Sequence, residues 1–70
     1  MPHYIEIVVE DVDGARIAAE EGADSIELCA RLDDGGLTPP PELIKNVVDV
    51  VRNVRPETQC HILILNSIWL

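Results

Sequence analysis

Apolar and polar residues alternate along the opening of the chain, and the alternation has the period of a strand. From Tyr4 to Val9, the residues Ile5, Ile7 and Val9 share one face; Glu6 and Val8, followed by Glu10, share the other. The period then lengthens. Asp11 or Asp13 can cap a helix that Ala15, Ala18 and Ala19 favour and that Gly22 stops. Ser25 to Ala30 returns to period two, with Ile26 and Leu28 set against Ser25, Glu27 and Cys29. Arg31 to Thr38 is a loop carrying a Gly35-Gly36 turn. Thr38-Pro39 starts the next helix, with a proline in the first helical position, where no hydrogen bond is lost. Leu43, Ile44, Val47, Val48, Val51 and Val54 recur at helical spacing. Their β-branching is poor for an isolated helix, so packing must hold this stripe in place. Pro56, within Arg55 to Thr58, breaks the helix, and Gln59 to Leu65 reads as a third strand.

The order β-α-β-α-β implies parallel strands joined by crossover helices. Ile5-Glu6-Ile7 and Ile26-Glu27-Leu28 occupy the same place in successive units, a weak internal repeat. The aliphatic face of each strand should meet the helices, which leaves Glu6 and Glu27 on the other side. In a doubly wound sheet that side would also be buried under helices, at a high cost in desolvated carboxylates. In a barrel it becomes the interior, where other strands can supply partners. The expected fold class is therefore α/β: a parallel β-α-β-α-β segment of a TIM (β/α)8 barrel, incomplete as it stands.

Composition narrows the function. At 70 residues the chain is at most one small domain, marginal without a staple or an extension. Its 47% hydrophobic content is almost all aliphatic, which suits a parallel sheet covered by helices. A net charge of −8, with five scattered basic residues, argues against nucleic acid and anionic membranes as partners. The start MPHYIEIVVED has no basic region ahead of an apolar run, no apolar stretch reaches membrane-spanning length, and Cys29 and Cys60 have no zinc spacing. The expectation is a cytoplasmic chain with reduced thiols.

Glu6 and Glu27 are the leading candidates for chemistry. Two carboxylates close together inside a barrel should raise one pKa, or hold a cation or arginine between them, and so could serve acid–base work or metal ligation. The structural alternative gives each a private partner on another strand. Cys29 lies near the C-terminal end of its strand, the end that carries active sites in (β/α)8 barrels, where a thiol could bind soft Cu(I); otherwise it is a small buried hydrophobe. His61 sits towards the N-terminal end of the third strand and reads as a structural histidine. Cys60 should point to the helices, and His3 to solvent. The Gly35-Gly36 loop lacks a phosphate-binding pattern, and Asp33 with Asp34 reads as a solvated turn.

Gly22-Ala23-Asp24, Glu27-Leu28-Cys29 and Gly35-Gly36-Leu37-Thr38-Pro39, taken in order, resemble the second β/α unit of the CutC family of copper homeostasis proteins. The resemblance extends over nearly the whole chain up to about Ile64. It implies a TIM-type barrel, cytoplasmic residence and a role in copper binding and handling. Cys29 would be the metal ligand and Glu6 and Glu27 its support. Two departures stand out. Val8 occupies a position where the family often has a second cysteine, so a two-thiolate Cu(I) site cannot be assembled from these strands. Where the family's third strand runs into Arg-Pro-Arg-Gly-Gly, this chain reads Leu65-Asn66-Ser67-Ile68-Trp69-Leu70. On this reading, residues 1–70 are the N-terminal fragment of a CutC-like barrel domain with a divergent tail from about 65. The fragment would be a truncated form with impaired or no activity. An open barrel has two unpaired edges, so self-association is expected. Whether an enzymatic reaction is involved is open; the alternative function is that of a TIM-barrel lyase or isomerase fragment using its inward glutamates for proton transfer.

Overall fold

The structure, a computed structural model, describes residues 3–30 and 38–63. Strand β1 (Glu6–Val9), helix α1 (Val12–Glu20), strand β2 (Ser25–Leu28), helix α2 (Pro41–Val54) and strand β3 (Gln59–Ile62) follow one another along the chain. The strands form one parallel sheet in the order β1-β2-β3, so each crossover helix returns the chain to the adjacent position. This is the β-α-β-α-β pattern expected from the sequence. Among the described residues, no helix is long and apolar enough to cross a membrane. The loop 31–37, with Asp33, Asp34, Gly35 and Gly36, and the tail from Ile64 lie outside the described residues.

Local chemistry sets the helix ends. Of the two candidate caps, Asp11 takes the role: its Oδ1 accepts from the Gly14 amide at 2.7 Å, while Asp13 adds negative charge to the first turn. At the other end Gly22 adopts φ +90°. The Gly22 amide donates to the Ala19 carbonyl and the Ala23 amide to the Ala18 carbonyl, which satisfies the last turn. Helix α2 begins later than Thr38-Pro39 suggested, with Pro40 as an extended cap and Pro41 as the first helical residue. A residue that precedes proline is pushed out of the helical region, so within Pro39-Pro40-Pro41 the last is the one able to start a helix.

Both helices lie on one side of the sheet. Ala15, Ala18 and Ala19 of α1 and Val47 and Val51 of α2 bury against Val9, Ile26 and Leu28, with Cys60 and Ile62 packed alongside. The alanines let α1 approach closely, and the valine stripe of α2 supplies the bulk. Ile5 and Ile7, expected to face the helices, are 50% and 36% exposed. Their alternation has the expected period, but β1 is one of the two edge strands among the described residues and has a neighbour on one side alone. Only Val9, at its far end, is fully covered.

The N-terminal ends of the strands are stapled by polar bonds. Thr58 Oγ1 donates to the Ala23 carbonyl at 2.7 Å, and Arg55 Nη1 donates to the same carbonyl and to the Thr58 hydroxyl. These bonds tie the turn after α2 to the turn after α1. Asp24 Oδ2 accepts from the Ile5 amide at 2.7 Å, adding β1 to the same end. In barrels this end serves stability, which leaves the opposite end for chemistry.

Candidate functional site

Register decides which side chains meet on the face away from the helices. Glu6 lies beside Ser25 and Gln59, and Val8 beside Glu27 and His61, so these six share that face while Ile7, Ile26 and Cys60 point to the core. Glu6 and Glu27, which occupy the same place in successive sequence units, are not lateral neighbours. The Ser25 amide bonds to the Ile5 carbonyl and the Cys29 amide to the Val9 carbonyl, which sets Glu27 two residues further along than Glu6. A shift of two keeps both carboxylates on one face and separates their rows by about 7 Å.

Glu6 Oε2 instead accepts from Ser25 Oγ at 2.9 Å and lies 2.9 Å from His61 Nδ1. The bonds to His61 and Ser25 hold the Glu6 carboxyl below its usual range. Its shift is therefore downward, because its neighbours are donors rather than a second carboxylate. Ser25 is fully buried, while Glu6 and His61 remain 40% and 48% exposed. The two longer side chains meet across the central strand, with the serine hydroxyl bonded to the same carboxylate oxygen. His61 had read as a structural histidine near the start of its strand. It stands in the third row of the sheet, beside Glu27, and contacts Glu6. The signal that could have found it was the strand register, which neither periodicity nor composition reveals.

Cys29 lies just beyond β2 at the C-terminal end of the sheet and is buried. Burial pushes its thiol pKa up, and the Glu10 and Glu27 carboxylates add to the effect by opposing a thiolate. Cys60 packs against the core on the helix side, and burial raises its thiol as well, against a smaller opposing pull from Arg52. The two sulfurs belong to opposite faces. Among the described residues, no three His, Cys, Asp or Glu side chains converge to hold a metal ion. Cys60, on the helix side, cannot join Cys29 as a second thiolate ligand.

A shallow apolar depression of about 380 Å³ lies between β1 and α1, lined by Ile7, Val8, Val9, Ile17 and Ala18 and rimmed by Glu10, Asp11 and Glu21. It adjoins the exposed edge of β1 and reaches Val8, at the border of the polar face.

A sequence model of the CutC family matches residues 3–65. The chain belongs to the CutC family. Relatives named family protein CutC include one from Histophilus somni (strain 2336), 50% identical over 46 residues that cover 66% of this chain and 19% of the relative. Another, from Pasteurella multocida (strain Pm70), is 47% identical over 45 residues, covering 64% and 18% respectively. A third, from Rhizobium meliloti (strain 1021), is 52% identical over 40 residues, covering 57% and 16%. The chain thus spans about a fifth of the length of the CutC relatives it matches. No solved structure matches it.

Proposed function

We propose that this chain supplies the opening strands of a copper-handling protein of the CutC family, with its polar sheet face forming part of a barrel interior. The observation that carries the reading is the position of Cys29, at the C-terminal end of β2 and within the electrostatic reach of Glu10 and Glu27. Copper is the cargo here. Cys29 contributes one soft donor for Cu(I) and Glu27 supports it electrostatically, whereas Glu6 lies at the other end of the strands and is bonded to Ser25 and His61. Further donors come from strands beyond the three described, as do the partners for the open edges; without them the edges pair between copies. Competition for Cu(I) against a colorimetric chelator tests the ligand, comparing the chain with its Cys29→Ala variant. Equal affinities would remove the copper claim.

The Glu6–His61 contact favours a second reading. A carboxylate bonded to an imidazole on an open barrel face suits proton transfer on a small substrate, as in TIM-barrel lyases and isomerases. In a full-length relative, turnover that survives loss of the cysteine equivalent to Cys29, but not Glu-to-Gln replacement at Glu27, would favour this reading over copper handling.

A further inference from the structure

We infer that His61 Nε2 and the Glu27 carboxylate form a two-point site for a borderline divalent metal ion, with Glu6 positioning the imidazole from behind. The inference deepens the metal-handling reading and rests on it for biological use. It names a different ligand set from Cys29 and a different class of ion from Cu(I).

The argument begins with the proton on His61. An ionised carboxylate oxygen can only accept, and Glu6 Oε2 already accepts from Ser25 Oγ. The 2.9 Å contact with His61 Nδ1 therefore needs a ring N–H on Nδ1. In the neutral ring this puts the lone pair on Nε2, facing away from Glu6. Fixing the far ring nitrogen with a carboxylate is the arrangement that orients metal-ligating histidines and raises their basicity. With nearly half its surface exposed, the ring can be reached by an ion.

Glu27 supplies the second donor. It is the lateral partner of His61 in the β2–β3 register and shares its face, at the interstrand spacing of about 4.8 Å. The described basic side chains lie elsewhere. Arg16 pairs with Asp13 and Glu20, Lys45 pairs with Asp49, Arg55 is bonded at the turn, and Arg52 lies on α2. The face is thus acidic in a chain of net charge −8, which favours a cation. Imidazole with carboxylate suits Zn(II), Cu(II) or Ni(II); the softer Cu(I) prefers sulfur. Two protein donors leave the remaining positions to water or to a ligand.

The test is side-chain nitrogen NMR on the ¹⁵N-labelled chain, first alone and then titrated with Zn(II). Before zinc, His61 should show the Nδ1–H tautomer. With zinc, its Nε2 signal should move at concentrations at least ~10-fold below those that move His3, which serves as the internal control. Glu6→Ala should weaken the His61 response about 10–100-fold, as loss of an orienting carboxylate does, and Glu27→Gln should weaken it too. An Nε2–H tautomer or a rapidly averaged ring would overturn the proposal. So would a zinc response equal to that of His3. The Cu(I) competition reads Cys29 and the Zn(II) titration reads His61, so either idea can fail without the other.

Discussion

Ile7 and Ile26 are lateral neighbours in the β1–β2 register and share the helix-covered face, yet Ile26 is fully buried and Ile7 is 36% exposed. Truncating each to alanine measures how unequally the sheet is covered. Ile26→Ala removes three carbons, about 2.4 kcal/mol at ~0.8 kcal/mol each. Val47, Val51 and the α1 alanines surround the site and cannot fully collapse into the space. The cavity contribution therefore brings the cost to roughly 3–4 kcal/mol. For Ile7→Ala, solvent fills much of the vacated volume at the open edge, and about 1 kcal/mol is expected. A single core in a chain of this size rarely supplies more than about 3–5 kcal/mol, so the first variant should be close to unfolding while the second stays folded. Urea denaturation followed by far-ultraviolet circular dichroism measures both, with an unchanged m-value required for the comparison. Equal losses would refute the reasoning, because they would mean that β1 is covered as fully as β2. A wild-type chain with no cooperative transition would refute it as well. In a chain carrying further strands that pair with β1, the Ile7 cost should rise towards that of Ile26, which makes the pair a test of barrel closure.

Thr58→Val removes a buried hydroxyl that bonds to the Ala23 carbonyl, but Arg55 still donates to that oxygen; the expected loss is about 1 kcal/mol, at the low end for a buried hydrogen bond, and a loss near 3 would show that Arg55 does not compensate. Because the Glu6 carboxyl is held low in the folded chain, its pairing contributes stability above the unfolded-state carboxyl pKa, and this is lost as pH falls through the folded value. Glu6→Gln should therefore flatten the acid limb of a stability–pH curve below about pH 4.3 and leave its slope near pH 9 unchanged; an unaltered acid limb would refute the Glu6–His61 pairing. Both thiols are pushed up by burial, so they should label more slowly with iodoacetamide in the folded chain than in urea, and a Cys29 that reacts at its unfolded rate would contradict its burial.

Much of this architecture was legible in the residues themselves. Period-two alternation around Glu6 and Glu27, an aspartate cap at Asp11 or Asp13, the Gly22 stop and the Leu43–Val54 stripe each carry a local physical cause, so they could be read without a partner. The α/β order followed, and with it the division of each strand into a helix-facing side and a polar side. The quantities set between strands were not legible. One was the register, which placed Glu27 two residues beyond Glu6 and brought His61 and Ser25 to the Glu6 carboxylate. The others were the exposure of Ile5 and Ile7 at an edge, and the separation of Cys29 from Cys60 on opposite faces. A strand's own period specifies which face a side chain takes. Its position along that face depends on hydrogen bonds to another strand more than a dozen residues away, and those form only when the helices pack and fix the crossovers.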